Sequence, residues 1–188
     1  MAATRLDPDS ILRAALALAD EKGFAALSMR ALADRLGVKA ASLYYHVPSR
    51  EALEQLIVDS IVAPVIDAGR GCASAPDLVR TVAVTLRATL REHPGAAMVV
   101  ATRHVSAPVF EASVPGILTA MQSGLSIPDD DALYLIQSLY VLVIGLALAE
   151  FGDGPAEPAA PTAYYDAWFE TSVETFIAGL RSRFGAPA

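Results

Sequence analysis

The stretch from Leu27 to Asp59, LSMRALADRLGVKAASLYYHVPSREALEQLIVD, decides the fold. Ser28 is of the type that caps a helix N-terminus. Ala31, Leu32 and Leu36 then recur at helical spacing before Gly37 supplies a turn. A second short helix, roughly Lys39 to His46, is stopped by Val47-Pro48; Ser49 caps a further helix whose Glu51 lies in the first turn, where a carboxylate meets the positive end of the dipole. Two short helices joined by a glycine turn form the helix-turn-helix plan, in which the second helix enters the major groove of DNA. Ala33 and Gly37 are small enough for the helices to cross closely, and Leu32, Leu36, Val38 and Leu43 form the apolar wedge that sets their angle.

Upstream, Asp7 and Pro8 punctuate the start of a helix whose stripe Ile11, Leu12, Ala15, Leu18 and Ala19 ends at Gly23, so three helices precede the one that begins at Ser49. Downstream, strand signals are nearly absent and apolar residues recur three and four apart. Pro64 is expected to end or bend the fourth helix, and Ala68 to Pro76 reads as a linker. Helices are expected from Asp77 to His93, from Ala96 to Arg103, and from about Val109 to Ser123 with a kink or restart at Pro115-Gly116. Asp129, Asp130 and Asp131 open an apolar helix to Phe151; Gly152 to Pro161 is a loop, and a last helix runs from about Thr162 to Phe184. The chain is therefore all-α, with about nine helices.

The composition, 54% hydrophobic with a mean hydropathy of +0.42, suits a chain with a sizeable core. Its lone Cys72 offers no disulfide framework and no paired-cysteine zinc site, and MAATRLDPDS lacks the apolar run of a secretory signal, which together predict a cytoplasmic location. The net charge of −7 argues, as an average, against nucleic acid. The distribution reverses this. Up to Arg50 there are seven Lys or Arg (Arg5, Arg13, Lys22, Arg30, Arg35, Lys39, Arg50) against five acids, leaving seven against sixteen for the rest. A slightly basic head on an acidic body fits a DNA-facing N-terminus.

The quoted string resembles the DNA-binding signature of the TetR (tetracycline repressor) family: a Thr/Ser-x-Arg opening, a Leu-Ala-x-x-Leu-Gly-Val core, a Ser/Thr-Leu-Tyr-x-His-Val/Phe recognition helix and a Lys/Arg-x-x-Leu continuation. The resemblance implies a DNA-binding domain over residues 1–50, a connecting helix from 49 to about 67, and a ligand-binding and dimerisation domain over 51–188. It places Arg30, Ala40, Ala41 and Tyr44 near base edges and Ser28, Lys39, Tyr45, His46 and Arg50 near phosphates. Arg30 has the fork geometry for guanine O6 and N7, a contact that contributes about 1–3 kcal/mol of discrimination, while the two alanines offer only apolar contact, for instance to a thymine methyl.

Segments of the body, LREHPGAAMVV (Leu90 to Val100), MQSGLSIPDDDALYLI (Met121 to Ile136) and Gly145 to Glu150, resemble the tetracycline repressors themselves. In those proteins a histidine and acidic residues hold a magnesium–drug chelate. His104 and Glu150 lie in the corresponding regions, but their surroundings depart from that pattern and Ile66 stands where the founder has a ligand-contacting histidine, so neither a metal site nor any other cofactor is expected. Thr102, Arg103, His104, Phe110, Met121, Gln137 and Tyr140 are the candidate lining of a pocket for a small-molecule effector. The three aspartates at 129–131 are explained by the helix dipole alone.

The segment from Ala132 to Glu150 is long and apolar enough to cross a bilayer. Its Gln137, Ser138, Tyr134 and Tyr140, and its acidic flank without a Lys or Arg anchor, argue against a membrane. Together with Tyr165, Phe169, Val173, Phe176, Ile177, Leu180 and Phe184 of the last helix, it is expected to build a homodimer interface through about 131–151 and 162–184. An enzyme is not expected: there is no nucleophile elbow, phosphate loop or HExxH, Gly69-x-Gly71 follows no strand, and His104 with Ser106 and Glu111 is a grouping that chance produces readily.

Overall fold

Asp7 and Ser10 fasten the first helix by a reciprocal capping box, the Ser10 amide donating to Asp7 Oδ1 at 2.8 Å and the Asp7 amide to Ser10 Oγ at 3.1 Å. From there the computed structural model, which describes residues 6–152 and 158–185, is helical throughout. The elements are α1 (Pro8–Lys22), α2 (Met29–Leu36), α3 (Ala40–His46), α4 (Arg50–Gly69), α5 (Ala75–Glu92), α6 (Ala97–Thr102), α7 (Ala107–Gln122), α8 (Asp129–Phe151) and α9 (Thr162–Phe184), with short 3₁₀ turns at Phe24–Ala26 and Pro94–Ala96. No strand occurs among the described residues, which bears out the all-α reading. Arg5 and residues 153–157 of the expected loop lie outside the described residues.

Neither proline ends its helix. α4 continues through Pro64 to Gly69, and α7 runs unbroken through Pro115 to Gln122. Both prolines are exposed, so each ring lies on a face of its helix that is open to water. The expected linker contracts to Arg70–Ser74, because Ser74 caps α5 and brings Ala75 and Pro76 into its first turn. α6 starts one residue later than expected, after the 3₁₀ turn, and α7 starts two residues earlier with Pro108 in its first turn, where the missing N–H costs nothing.

The core is continuous from α1 to α9. Ile11, Leu27, Leu32, Leu43 and Leu53 fill the N-terminal end, and Ile61, Leu86, Leu90, Val99, Met121, Leu139 and Val173 carry the same cluster into the body. α4 spans both, packing on α1 at its start and on α5, α6 and α7 further along. A second seam joins the two ends. Gly95 presses so closely on α1 that a Cβ there would lie 2.3 Å from the Ala19 carbonyl carbon. The Asp20 carboxylate beside it accepts the Gly95 amide at 3.0 Å and meets His93 Nδ1 at 3.0 Å.

On the far side, α8 and α9 are tied to α5 by an ionic cluster. The buried Glu150 carboxylate accepts from Arg87 (2.9 and 3.0 Å) and from Arg91 (2.7 and 3.1 Å), and Arg91 also donates to Asp166 at 2.6 Å. Arg87 lies 4.5 Å from the centroid of the Phe169 ring, and Arg80 pairs with Glu170 and Glu174.

Candidate nucleic-acid interface and ligand cavity

The helix-turn-helix forms as its residues predict. Ser28 Oγ accepts the Ala31 amide at 3.1 Å to start α2, and Gly37 ends it in the left-handed conformation at φ +67°, where a Cβ would add strain. Buried Leu32, Ala33 and Leu43 lock α2 against α3. Because Leu43 points inward, the rest of the short α3 faces out: Ala40, Ala41, Tyr44, Tyr45 and His46 are all exposed, as is Lys39 just before the helix, with Tyr45 at 88% and Tyr44 at 47%. Tyr45 and His46 meet edge to face at 5.3 Å. Arg30 is exposed on α2, and neither it nor Lys39 has an ion-pair partner among the described residues. Unpaired cations beside an exposed aromatic row suit a surface that meets phosphates and base edges.

Arg50 behaves differently from a free phosphate contact. Its Nε donates to Glu54 at 2.8 Å, its Nη1 to the Leu27 carbonyl at 2.6 Å, and the guanidinium stands 5.3 Å from the Phe24 ring centroid. It ties the start of α4 to the residue before the Ser28 cap. Ser28 likewise spends an acceptor on its own helix.

Six of the seven candidate pocket residues surround one cavity of about 660 Å³: Thr102, Arg103, His104, Phe110, Gln137 and Tyr140. The seventh, Met121, is wholly buried in the core, a correction that arises because its side of α7 faces the packed interior rather than the cavity. Apolar residues that the sequence reading did not single out, among them Val65, Ile117, Val141, Ile144 and Leu148, make most of the wall, and Ile66 lines it too. The Tyr140 hydroxyl is buried with no hydrogen-bond partner among the described residues, and burial pushes its pKa up, so it is a neutral phenol. Glu150 does not line the cavity; both its oxygens are held by Arg87 and Arg91. His104, Ser106 and Glu111 are joined by no side-chain hydrogen bond among the described residues.

The cavity rim and the helix-turn-helix meet at α4. The segment from Arg103 to Ser106, between α6 and α7, is fastened there three times: Arg103 Nη2 to Glu54 Oε2 at 2.5 Å, Gln55 Nε2 to the His104 carbonyl at 3.2 Å, and the Ser106 amide to Asp59 Oδ1 at 2.9 Å. Glu54, 6% exposed, thus holds one arginine from the cavity rim and another, Arg50, that grips the helix-turn-helix. The sequence reading missed Glu54; its i,i+4 spacing from Arg50 was the available signal.

A helix-turn-helix whose second helix is exposed at one end of an all-helical body with an apolar cavity is the architecture of a DNA-binding transcription regulator with a ligand-binding body. Comparison with known proteins agrees. Residues 11–55 match the family model for bacterial regulatory proteins of the tetR family. The chain is 30% identical over 163 residues to the class D tetracycline repressor protein of Escherichia coli, covering 82% of this chain and 73% of that one. It is 38% identical over 104 residues to an HTH-type transcriptional regulator of Saccharopolyspora erythraea, a match that covers 55% of this chain and 44% of the relative. Among solved structures, a TetR variant from Acinetobacter baumannii AYE in complex with minocycline shares the fold with a TM-score of 0.83 at 21% identity, over 97% of this chain and 100% of that one. The Streptomyces coelicolor TetR family protein ActR in complex with actinorhodin gives 0.77 at 25% identity over 100% of both chains. The chain belongs to the TetR family of transcription regulators.

Proposed function

We propose that the chain is a homodimeric repressor, acting in the cytoplasm, that holds a near-palindromic operator and leaves it when a small-molecule inducer fills the cavity. The exposed row on α3 carries the reading: Lys39, Ala40, Ala41, Tyr44, Tyr45 and His46, with Arg30 beside it, meet the duplex, Ser28 adds a hydroxyl, and residues 1–50 act as the reading head. Arg50 serves first as an internal tie, its remaining amine free to approach a phosphate. Residues 51–188 act as the sensing and dimerising body.

Dimerisation is supported by faces of α8 and α9 that nothing among the described residues covers. Tyr134 (65% exposed), Val141 (66%), Tyr164 (57%) and Trp168 (42%) lie on them, and an 18-residue stretch of α8 has a mean hydropathy of 2.1. Gly145 and Gly179 have no atom within 4 Å of a built Cβ, which leaves room for close helix approach. Two copies joined there present two α3 helices, which a palindromic operator spaces about 34–36 Å apart.

Sensing is supported by the cavity and by the family relatives named for tetracycline or solved with minocycline and actinorhodin. An occupant that displaces Arg103–Ser106 acts on α4 through Glu54, and through Arg50 on the start of the helix-turn-helix. An inducer needs only differential affinity for the released form, with a coupling of roughly 1–3 kcal/mol being typical.

The test is a footprint of the purified protein on DNA flanking its own coding region. Protection of two half-sites one helical turn apart is expected; no protection even at low salt refutes the repressor reading, since low salt strengthens every phosphate contact.

A further inference from the structure

The charges of the body are sorted around the cavity. Residues 51–188 carry sixteen acids against seven arginines, yet no aspartate or glutamate lines the cavity, whereas Arg70, Arg103 and His104 do. In an acidic body, an opening whose only ionisable cationic groups face no lining acid selects for a negative group on what enters.

The two cationic ends are not equivalent. Arg70 caps the C-terminus of α4, where the helix dipole is negative, and Asp67 already lies 3.4 Å from it. Arg103 and His104 stand just before α7. The first residue of α7, Ala107, also lines the cavity, and no side chain caps that helix, so the positive end of its dipole lies at the same rim. Only Nη2 of Arg103 is engaged, by Glu54, which leaves the rest of the guanidinium fork open, and the His104 ring has no partner among the described residues. The acids of α4 close to this rim are already engaged. Asp59 accepts from the Ser106 amide and from Gln55, and Glu51 is held below the usual carboxylate range by its own backbone amide and Ser49. Behind the rim is an apolar wall that extends along α8 from Leu133 to Leu148, fifteen residues or about 22 Å.

We propose that the effector is an amphipathic carboxylate, whose apolar part lies along the wall and whose anionic group takes Arg103 away from Glu54. This rests on the reading of the cavity as the effector site and goes further by fixing the charge of what enters and the contact it breaks. The exchange leaves no charge alone: Arg103 gains the ligand's carboxylate, and the buried Glu54 keeps Arg50 Nε at 2.8 Å. A neutral ligand of the same shape fills the wall but has no charge with which to compete for Arg103, so it occupies the cavity without drawing on Glu54.

The experiment uses the full chain and two carboxylates of different shape, dodecanoate and anthracene-2-carboxylate, each beside the corresponding primary alcohol and primary amine. Calorimetry reads binding, and anisotropy of a labelled operator duplex reads release. In at least one shape the carboxylate is expected to bind about tenfold more tightly than its alcohol and amine. Arg103→Gln is expected to weaken that carboxylate by about tenfold and to leave the alcohol within about twofold. Gly116→Leu, at a lining position with nothing within 4 Å of a built Cβ, is expected to abolish binding of every probe, and melting curves establish that both variants are folded. At matched occupancy the carboxylate is expected to release operator and the alcohol to leave it bound. Equal binding of alcohol and carboxylate, tighter binding of the amine, an unaltered carboxylate affinity in Arg103→Gln, equal release by the alcohol, or no binding by any probe overturns the proposal. Binding with the expected charge and Arg103 dependence, but with no release by any probe, refutes the sensing reading and leaves the anion site standing.

Discussion

Arg103 sits on the cavity rim and touches no part of the recognition helix, yet its removal is expected to change operator affinity in a way that depends on Glu54. The perturbation is Arg103→Ala, made in the natural chain and again with Glu54→Gln. In the natural chain Glu54 is 6% exposed and shared between Arg103 at 2.5 Å and Arg50 at 2.8 Å. Stripping a buried carboxylate of every partner costs about 3–5 kcal/mol. Here Arg50 remains and the two arginine side chains are 39% and 41% exposed, so the value for a hydrogen bond to a charged group, about 1.5–3 kcal/mol, is the better guide. Glu54 then draws Arg50 alone, and Arg50 Nη1 holds the Leu27 carbonyl at 2.6 Å, one residue before the Ser28 cap. Passing on about 1 kcal/mol of that change alters the operator Kd roughly fivefold. In the Glu54→Gln background the charge on which the relay depends is gone, and the same Arg103→Ala change is expected to move Kd by less than about twofold. Fluorescence anisotropy of a labelled operator duplex at one fixed salt concentration reads all four proteins, and their melting curves establish that each is folded. Equal fold-changes in the two backgrounds would refute transmission through Glu54.

Three further outcomes are expected. Tyr44→Ala abolishes operator binding while sedimentation still shows a dimer; retained binding would mean that α3 is not the reading helix. Gly95→Ala forces a Cβ onto the Ala19 backbone at 2.3 Å and lowers stability by about 1–3 kcal/mol, read as a Tm drop of roughly 2–4 °C per kcal/mol, whereas an unchanged Tm would show that the seam opens freely. Arg91 donates to the Asp166 carboxylate and holds it below its ordinary pKa of 3.8, so its contribution is present above that value and is lost as pH falls through the lower folded value. Urea titrations of Arg91→Ala are therefore expected to show a shallower loss of stability than the natural chain between about pH 5 and 3, and an identical slope would remove this pair from the acid response.

The head was legible because its determinants are local. Ser28, Gly37 and Ser49 act on backbone within a few residues of themselves, and each does what its type predicts. Pro64 and Pro115 do not end their helices, and both fall on exposed faces; which face of a helix meets water depends on neighbours far along the chain. The same dependence separates Met121 from the cavity and recruits Ile117 to it, although both lie on α7. Arg50 looked like a free cation since its second partner, the Leu27 carbonyl, is a backbone group 23 residues away that no side-chain pattern reveals. Glu150 resembled a metal ligand in its segment; only the arrival of Arg87 and Arg91 from α5 shows it to be an anchor instead.

The seam between α1 and the Pro94–Ala96 turn bears on how such regulators are recombined. Exchanging the first fifty residues for those of another family member, to rewire a promoter, replaces Ala19 and Asp20 but leaves His93 and Gly95 behind. A donor helix that lies at a different depth, or that lacks the carboxylate, meets a glycine shaped for another neighbour. Portable chimeras of this chain should therefore be cut so that the graft carries both sides of that joint.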